Sequence, residues 1–253
     1  MSTLTVPISA RSIIYPDSDG KPMAENTLQY DWIVKITGGL RRVFGEDPKV
    51  FVAGDLFWYP VEGRPDIRIA PDVLVVFGRP PGHRMSYRQW EEEGIAPQVV
   101  FEVLSPSNRV GEMSSKFDFY RRHGVEEYYI YDPDPNTIEL SGFIRQKDDL
   151  VEIQTMHGHV SPRLKVTFES GADGLQLIGP DGRRFGTFEE VAQAEEQARR
   201  FAADQQRRAQ EAEQRAEQER DRAEQERNRA EQERNRADRL QAELDQLRRD
   251  ATG

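Results

Sequence analysis

The sequence predicts an α/β domain, a mixed sheet flanked by helices, followed by a long C-terminal α-helix with the character of a weak coiled coil. Three observations predict it. An amphipathic stripe near the N-terminus gives way to short apolar runs, and a second helical pattern interrupts those runs before they resume. From about Phe185 onward, Gln, Glu, Arg and Ala replace the large apolar residues until Leu240. Helices alternating with buried-type strands argue for a sheet covered by helices. The expected division is therefore a domain of residues 1–186 and a tail of residues 187–253.

The elements follow in order. Leu28, Trp32, Ile33, Ile36, Leu40 and Val43 recur at steps of three and four, predicting a helix from near Met23 to Phe44-Gly45. Lys49 to Ala53 and Asp55 to Tyr59 read as short strands, and Gly63-Arg64-Pro65-Asp66 as a turn. Ile67 to Phe77 is a strongly apolar strand interrupted only by Pro71-Asp72, and residues 78–97 form a loop with one helical turn near Ser86 to Glu93. Gln98 to Leu104 is short and continuously apolar apart from Glu102, as in a strand buried on both faces. Gly111 to His123 reads as a helix with Met113, Phe117 and Tyr120 on one side, closed by Gly124. Glu127 to Tyr131, Thr137 to Ile144, Leu150 to Met156 and Leu164 to Phe168 complete the sheet-compatible segments.

The tail repeats every seven residues. Arg-Ala-Glu-Gln-Glu-Arg begins at Arg215, Arg222 and Arg229. One seam position is Ala209, Ala216, Ala223, Ala230, Ala237 and then Leu244. The other is Glu219, Glu226 and Glu233, becoming apolar only at Leu240 and Leu247. A two-stranded coiled coil would want Leu there. Arg215 with Glu219, Arg220 with Glu224, Arg222 with Glu226 and Arg227 with Glu231 are expected to support the helix as pairs four apart. A helix from Phe188 to about Arg249 would be on the order of 90 Å long. It is expected to organise subunits, through a second copy of the chain or a partner helix, and to take no part in chemistry.

Composition excludes several classes of function. The chain has 253 residues, 36% hydrophobic and 32% charged, and no cysteine. There is thus no disulfide, thiolate nucleophile or Cys-ligated zinc, and a metal would be held by oxygen or imidazole, with magnesium the default hard cation. No apolar run approaches a membrane span and the N-terminus lacks a secretory signal, so a soluble, cytoplasmic protein is expected. Of 45 acids and 35 bases, 18 acids and 14 arginines lie in residues 187–253, leaving 27 and 21, net −6, in residues 1–186. That balance argues against a broad nucleic-acid platform. Contact with DNA would need a local basic patch or a bound metal.

Asp72 and Glu102 lie in the two most apolar runs, where a carboxylate is costly unless paired, protonated or bound to a cation. Two readings are open: a hard divalent ion shared by the two, or separate pairing with arginines such as Arg68 or Arg109. Several blocks then carry a family resemblance: Ile69-Ala70-Pro71-Asp72-Val73, Phe101-Glu102-Val103-Leu104-Ser105-Pro106-Ser107, Lys116, Tyr120-Arg121-Arg122-His123-Gly124-Val125-Glu126-Glu127-Tyr128 and Asp132-Pro133. In order and spacing they resemble the Uma-two family of restriction endonucleases, a branch of the PD-(D/E)XK nuclease superfamily, over roughly residues 20–170.

The resemblance implies a restriction-endonuclease-like fold and a role for each matching residue. Asp72 is the acid of the Pro-Asp motif and Glu102 that of the second motif. The position two after Glu102, lysine in the superfamily pattern, is Leu104. In the resembling family the lysine lies on the following helix, where Lys116 sits. Glu25 resembles an additional acid beside the metal, although a helix N-terminal acid favoured by the dipole reads equally well. The implied chemistry is phosphodiester hydrolysis with Mg2+ (or Mn2+) held by Asp72, Glu102 and the Val103 carbonyl, and with Lys116 orienting water or stabilising the anion. The competing reading, raised by Leu104 and the acidic balance, is a catalytically inactive nuclease-fold binding or assembly module.

Weaker candidates complete the reading. His157-Gly158-His159 puts two imidazoles on one strand face without a third ligand. His83 and His123 read as solvated. Asp55 reads as a turn residue that could also line the cleft. Gly38-Gly39 and Gly171-Ala172-Asp173-Gly174 lack the context of phosphate loops.

Overall fold

The computed structural model describes residues 13–250 apart from 19, 21, 109, 138, 172 and 173, and for 240 and 242–250 the helical backbone alone. The chain divides into two units, Met1–Glu189 and Glu190–Gly253. No helix among the described residues is long and apolar enough to cross a membrane.

The first helix, α1, runs from Thr27 to Phe44. It starts four residues later than the periodicity suggests because the Asn26 side chain caps it, accepting the Gln29 N–H at 2.8 Å. The central sheet has six strands: β1 (Val50–Gly54), β3 (Val73–Phe77), β5 (Val99–Val103), β6 (Glu127–Asp132), β7 (Glu139–Gln146) and β8 (Asp149–Glu152), adjacent in that order. All neighbours are antiparallel except β5 and β6, which the helix α2 (Val110–Arg122) connects. A parallel pair needs such a crossover, whereas a hairpin serves the antiparallel ones. α2 ends at Gly124, whose φ of 92° suits a residue without a side chain.

The two faces of the sheet bury different partners. On one, Val73, Val75, Val99, Phe101, Tyr129 and Tyr131 meet Ile33, Ile36 and Leu40 of α1, together with Phe168, Leu175 and Leu177. The last three belong to a three-stranded sheet of β9 (His159–Val160), β10 (Thr167–Gly171) and β11 (Gly174–Ile178). Gly39 of α1 allows Phe185 to seat there, since a Cβ on Gly39 would stand 2.2 Å from that ring. On the other face Leu74, Val76, Val100 and Tyr128 meet Tyr120 of α2, with Trp58 and Tyr87. These two come from the short parallel pair β2 (Trp58–Tyr59) and β4 (Tyr87–Arg88).

Several sequence expectations are corrected. Residues 55–57 are not strand, because Asp55 takes a left-handed conformation at φ 46° that turns the chain. The Ile67 to Phe77 run is strand only from Val73, since Pro71 has no N–H to give to a ladder. The helical turn within residues 86–93 is a short 3-10 turn, Gln89–Glu92, preceded by β4. The strand expected to reach Met156 stops at Glu152, and Leu164 and Val166 form a buried turn, with Lys165 at φ 57°, leading into β10. Gly174–Ile178, for which the sequence predicts no element, is β11.

In the tail, α3 spans Phe188–Asp250. Its side chains, where described, are almost all exposed. Leu240, Leu244 and Leu247 lie outside the described side chains. None of the four Arg-to-Glu pairs expected from the repeat closes to ion-pair distance. The close pairs are instead Glu196 with Arg200 at 2.8 Å, Asp204 with Arg208 at 2.9 Å, and Asp204 with Arg207. The acid precedes the base in each of these, the orientation that agrees with the helix dipole, and the base-first pair Arg207 with Glu211 is longer, at 3.9 Å.

Candidate active site

The β3–β5 register pairs Val73 with Phe101 and Leu74 with Val100. One step further along the same ladder, Asp72 stands opposite Glu102, so the two side chains leave the same face of the sheet about 5 Å apart at Cβ. Asp72 lies just before β3, and its Oδ2 accepts the Val103 N–H at 2.6 Å, closing the ladder where Pro71 cannot. Glu102 is inside β5 and only 1% exposed. Burial, and next the negative charge of Glu102, hold the Asp72 carboxyl well above the usual carboxylate range.

Among the described residues neither acid pairs with an arginine. Arg68 donates to the Pro65 carbonyl at 2.7 Å, and Arg109 lies outside the described residues. Glu102 is held from α2 instead: Lys116 Nζ reaches its Oε2 at 2.7 Å, and the Tyr120 hydroxyl donates to its Oε1. Lys116 and Tyr120 are four apart, so one helix face delivers both donors. Burial alone would lower the Lys116 pKa, but the charge and hydrogen bond of Glu102 outweigh it and leave the ammonium above its ordinary value. Lys116 is therefore a cation and donor at neutral pH, not a base.

The segment before α1 supplies the third acid. Glu25 precedes the Asn26 cap and accepts from Ser105 Oγ at 2.6 Å, with Ser105 in the turn that follows β5. Gln29 ties the same segment to the sheet: its Oε1 accepts the Glu25 N–H at 2.9 Å, and its Nε2 donates to the Val103 carbonyl at 2.9 Å. Glu25, Gln29, Ser105 and Lys116 line a cleft of about 290 Å3, with Asp17, Asp55 and Glu112 also on its walls. Asp55 is thus both a turn residue and part of the wall. Among the described residues Lys116 is the sole base on the lining.

Sequence reasoning singled out Asp72, Glu102, Val103, Lys116 and Glu25, and the structure gathers all five around the end of β5. It did not assign roles to Tyr120, Gln29 and Ser105. Tyr120 was legible in principle, one turn beyond Lys116 on the same face. Gln29 was not, because its partner is a backbone carbonyl 74 residues away. Leu104 faces an unrelated apolar groove with Val110, Met113 and Phe117. The histidines stay apart. His159 lies in β9 near the Tyr129 ring, His157 accepts the Ser170 N–H at 3.2 Å outside that strand, and His123, expected to be solvated, packs on Phe119 with ring centroids 4.5 Å apart.

The donor set suits a hard cation. Oxygen ligands are at hand, two carboxylates share one face, and burial followed by the Glu102 charge raises the Asp72 carboxyl in spite of Lys116. Among the described residues no three His, Cys, Asp or Glu side chains form a ready ligand group. Mg2+ commonly takes one or two carboxylates and keeps waters, so the Val103 carbonyl and solvent would complete its shell.

No curated protein matches the chain. Among solved structures it is similar to a "putative nuclease belonging to DUF820" from Anabaena variabilis ATCC 29413, at 15% identity and a TM-score of 0.40, covering 56% of this chain and 74% of that one. The family profile Uma2, described as "Putative restriction endonuclease", matches residues 23–173, which include Glu25, Asp72, Glu102 and Lys116 and both α1 and α2. The chain belongs to the Uma2 restriction endonuclease family.

Proposed function

We propose that the protein is a magnesium-dependent endonuclease that hydrolyses phosphodiester bonds of DNA in this cleft. The observation that carries the reading is Asp72 facing Glu102 across β3 and β5, with Lys116 bound to Glu102. The acidic walls support it as well. Asp17, Glu25, Asp55 and Glu112, on the cleft that Lys116 also lines, would repel a phosphate unless a cation stood between them. The charge balance that argues against DNA binding by the bare domain therefore argues for a metal-dependent one.

Asp72, Glu102 and the Val103 carbonyl would hold the ion, with Glu25 reaching it directly or through water. When bound, it acidifies a water and neutralises charge on the phosphoryl oxygens. Lys116, held protonated by Glu102, donates to the attacking water or to the anion that develops. In the reaction the water oxygen bonds to phosphorus and one ester P–O bond breaks, giving a phosphomonoester and an alcohol. The proton lost by water goes to solvent, and the leaving alkoxide takes one from it.

Cleavage of supercoiled plasmid by the purified chain tests the reading. Activity should need millimolar Mg2+ or Mn2+, vanish with chelator and fall at least about 10³-fold in Asp72→Ala, which is some 4 kcal/mol of transition-state stabilisation. Undiminished cleavage by Asp72→Ala would overturn the assignment, and metal-independent inertness of the wild type would favour the inactive binding module. α3 is proposed to join subunits or a partner helix, outside the chemistry. Deleting residues 190–253 should lower the mass measured by light scattering and keep cleavage of short duplexes, whereas loss of cleavage at unchanged mass would refute that role.

A further inference from the structure

Two tyrosines are fully buried side by side against the Glu102 face of the sheet, and they differ in one respect. Tyr120 on α2 and Tyr128 on β6 are both 0% exposed, with ring centroids 4.9 Å apart. The Tyr120 hydroxyl donates to Glu102 Oε1. The Tyr128 hydroxyl is buried and has no hydrogen-bond partner among the described residues.

Tyr120 is held firmly for this task. Its backbone carbonyl accepts the Val125 N–H at 3.1 Å and Arg145 Nη2 at 3.3 Å. The same guanidinium donates to the carbonyls of Arg121 and Val125, each at 2.7 Å, so one cation closes the C-terminal turn of α2. With Lys116 on Oε2 at 2.7 Å and Tyr120 on Oε1, the carboxylate has a donor on each oxygen and cannot turn about its last bond without breaking one. Each oxygen keeps a further lone pair. The phenol is buried, which keeps it a neutral donor, and the Tyr128 ring fills the space beside it.

We propose that Tyr120 is a positioning residue of the metal site: its hydroxyl fixes the plane of the Glu102 carboxylate so that the remaining lone pairs face Asp72 and the cation. Partners of this kind, one step behind a ligand, typically account for 10–100-fold in metal affinity or activity. The proposal rests on the metal-dependent nuclease reading.

The test compares Tyr120→Phe with Tyr128→Phe in the full chain, each removing one buried hydroxyl from neighbouring rings. Mn2+ binding is followed by the EPR signal of the free ion, without substrate, and cleavage kinetics are measured separately. Tyr120→Phe should weaken Mn2+ binding about tenfold and lower kcat at least tenfold, with the KM for DNA unchanged. Tyr128→Phe should stay within twofold of wild type in all three. If Tyr120→Phe does not fold by circular dichroism, Tyr120→His, which keeps a ring N–H to offer Glu102, should bind Mn2+ within a few-fold of wild type. Tyr120→Phe with wild-type Mn2+ affinity and kcat, equal losses in both Phe variants, or a folded Tyr120→His that binds no Mn2+ would each overturn the proposal while leaving the nuclease reading standing. A wild type that neither binds Mn2+ nor cleaves would overturn both.

Discussion

Glu102 on β5 and Glu127 on β6 are each 1% exposed, and they lie on opposite faces of the same sheet. Glu127 is surrounded by neutral donors: Tyr129 OH at 2.8 Å and Ser161 Oγ reach one oxygen, and the Arg163 N–H reaches the other at 2.6 Å. Those bonds pin the turn of residues 161–166 to the sheet. Glu102 has a hydroxyl and a lysine, but it also faces a second carboxylate whose protonation it favours, and its lysine lines an open cleft. Burial of an acid thus marks a site only when the neighbours leave its charge incompletely compensated. Where donors satisfy it fully, the acid is architecture.

The sharpest way to break this comparison is to neutralise each acid in turn. Glu102→Gln should lose cleavage by about 10³-fold or more and shift stability by less than about 1 kcal/mol, since the change also relieves crowding with Asp72. Glu127→Gln should keep cleavage and lose about 3 kcal/mol, roughly 10 °C in Tm, because an amide N–H₂ would face donors. Plasmid assays and thermal melts on both variants check this, and exchanged outcomes would mean the two roles are reversed.

A smaller effect is expected at Lys116. Lys116→Ala should retain Mn2+ binding and lose turnover by some 10–100-fold, and Leu104→Lys in that background should restore none of it, because position 104 faces the apolar groove of Val110, Met113 and Phe117. A fully active Lys116→Ala enzyme would show that the metal alone prepares the water.

The smallest effect concerns pH. Burial, reinforced by Glu102, raises the Asp72 carboxyl above its unfolded value, so the folded chain binds that proton more tightly than the unfolded one. Stability without metal should therefore fall as pH rises from the ordinary aspartate value through the raised one. Asp72→Asn should match wild type below that window and become the more stable of the two above it, as read from urea melts across pH. An unchanged difference at all pH values would contradict the raised Asp72 carboxyl.

How much of this the sequence revealed depended on how local the cause was. The Gln98 to Leu104 run announced a strand buried on both faces, and the stripe from Met113 through Phe117 to Tyr120 announced the helix that covers it, because each pattern is set by its own residues. β11 was missed because Gly174–Ile178 is short and follows a glycine turn, and its strand character comes from pairing with β10. Asp72 and Glu102 stood out as charges in apolar runs. Glu127 carries the same signature before Tyr128-Tyr129-Ile130-Tyr131 and drew no attention, since what separates it from Glu102 is Ser161 and Arg163, brought from more than 30 residues away.

The central claim is that Asp72 and Glu102 together hold a divalent cation, and the thermal response to Mn2+ tests it most directly. Wild type should melt progressively higher as Mn2+ rises into the millimolar range, by RT ln(1 + [Mn2+]/Kd). Glu127→Gln should show the same increment from a lower baseline, and Asp72→Asn should show none. An increment in Asp72→Asn equal to that of wild type would place the cation elsewhere and contradict the account.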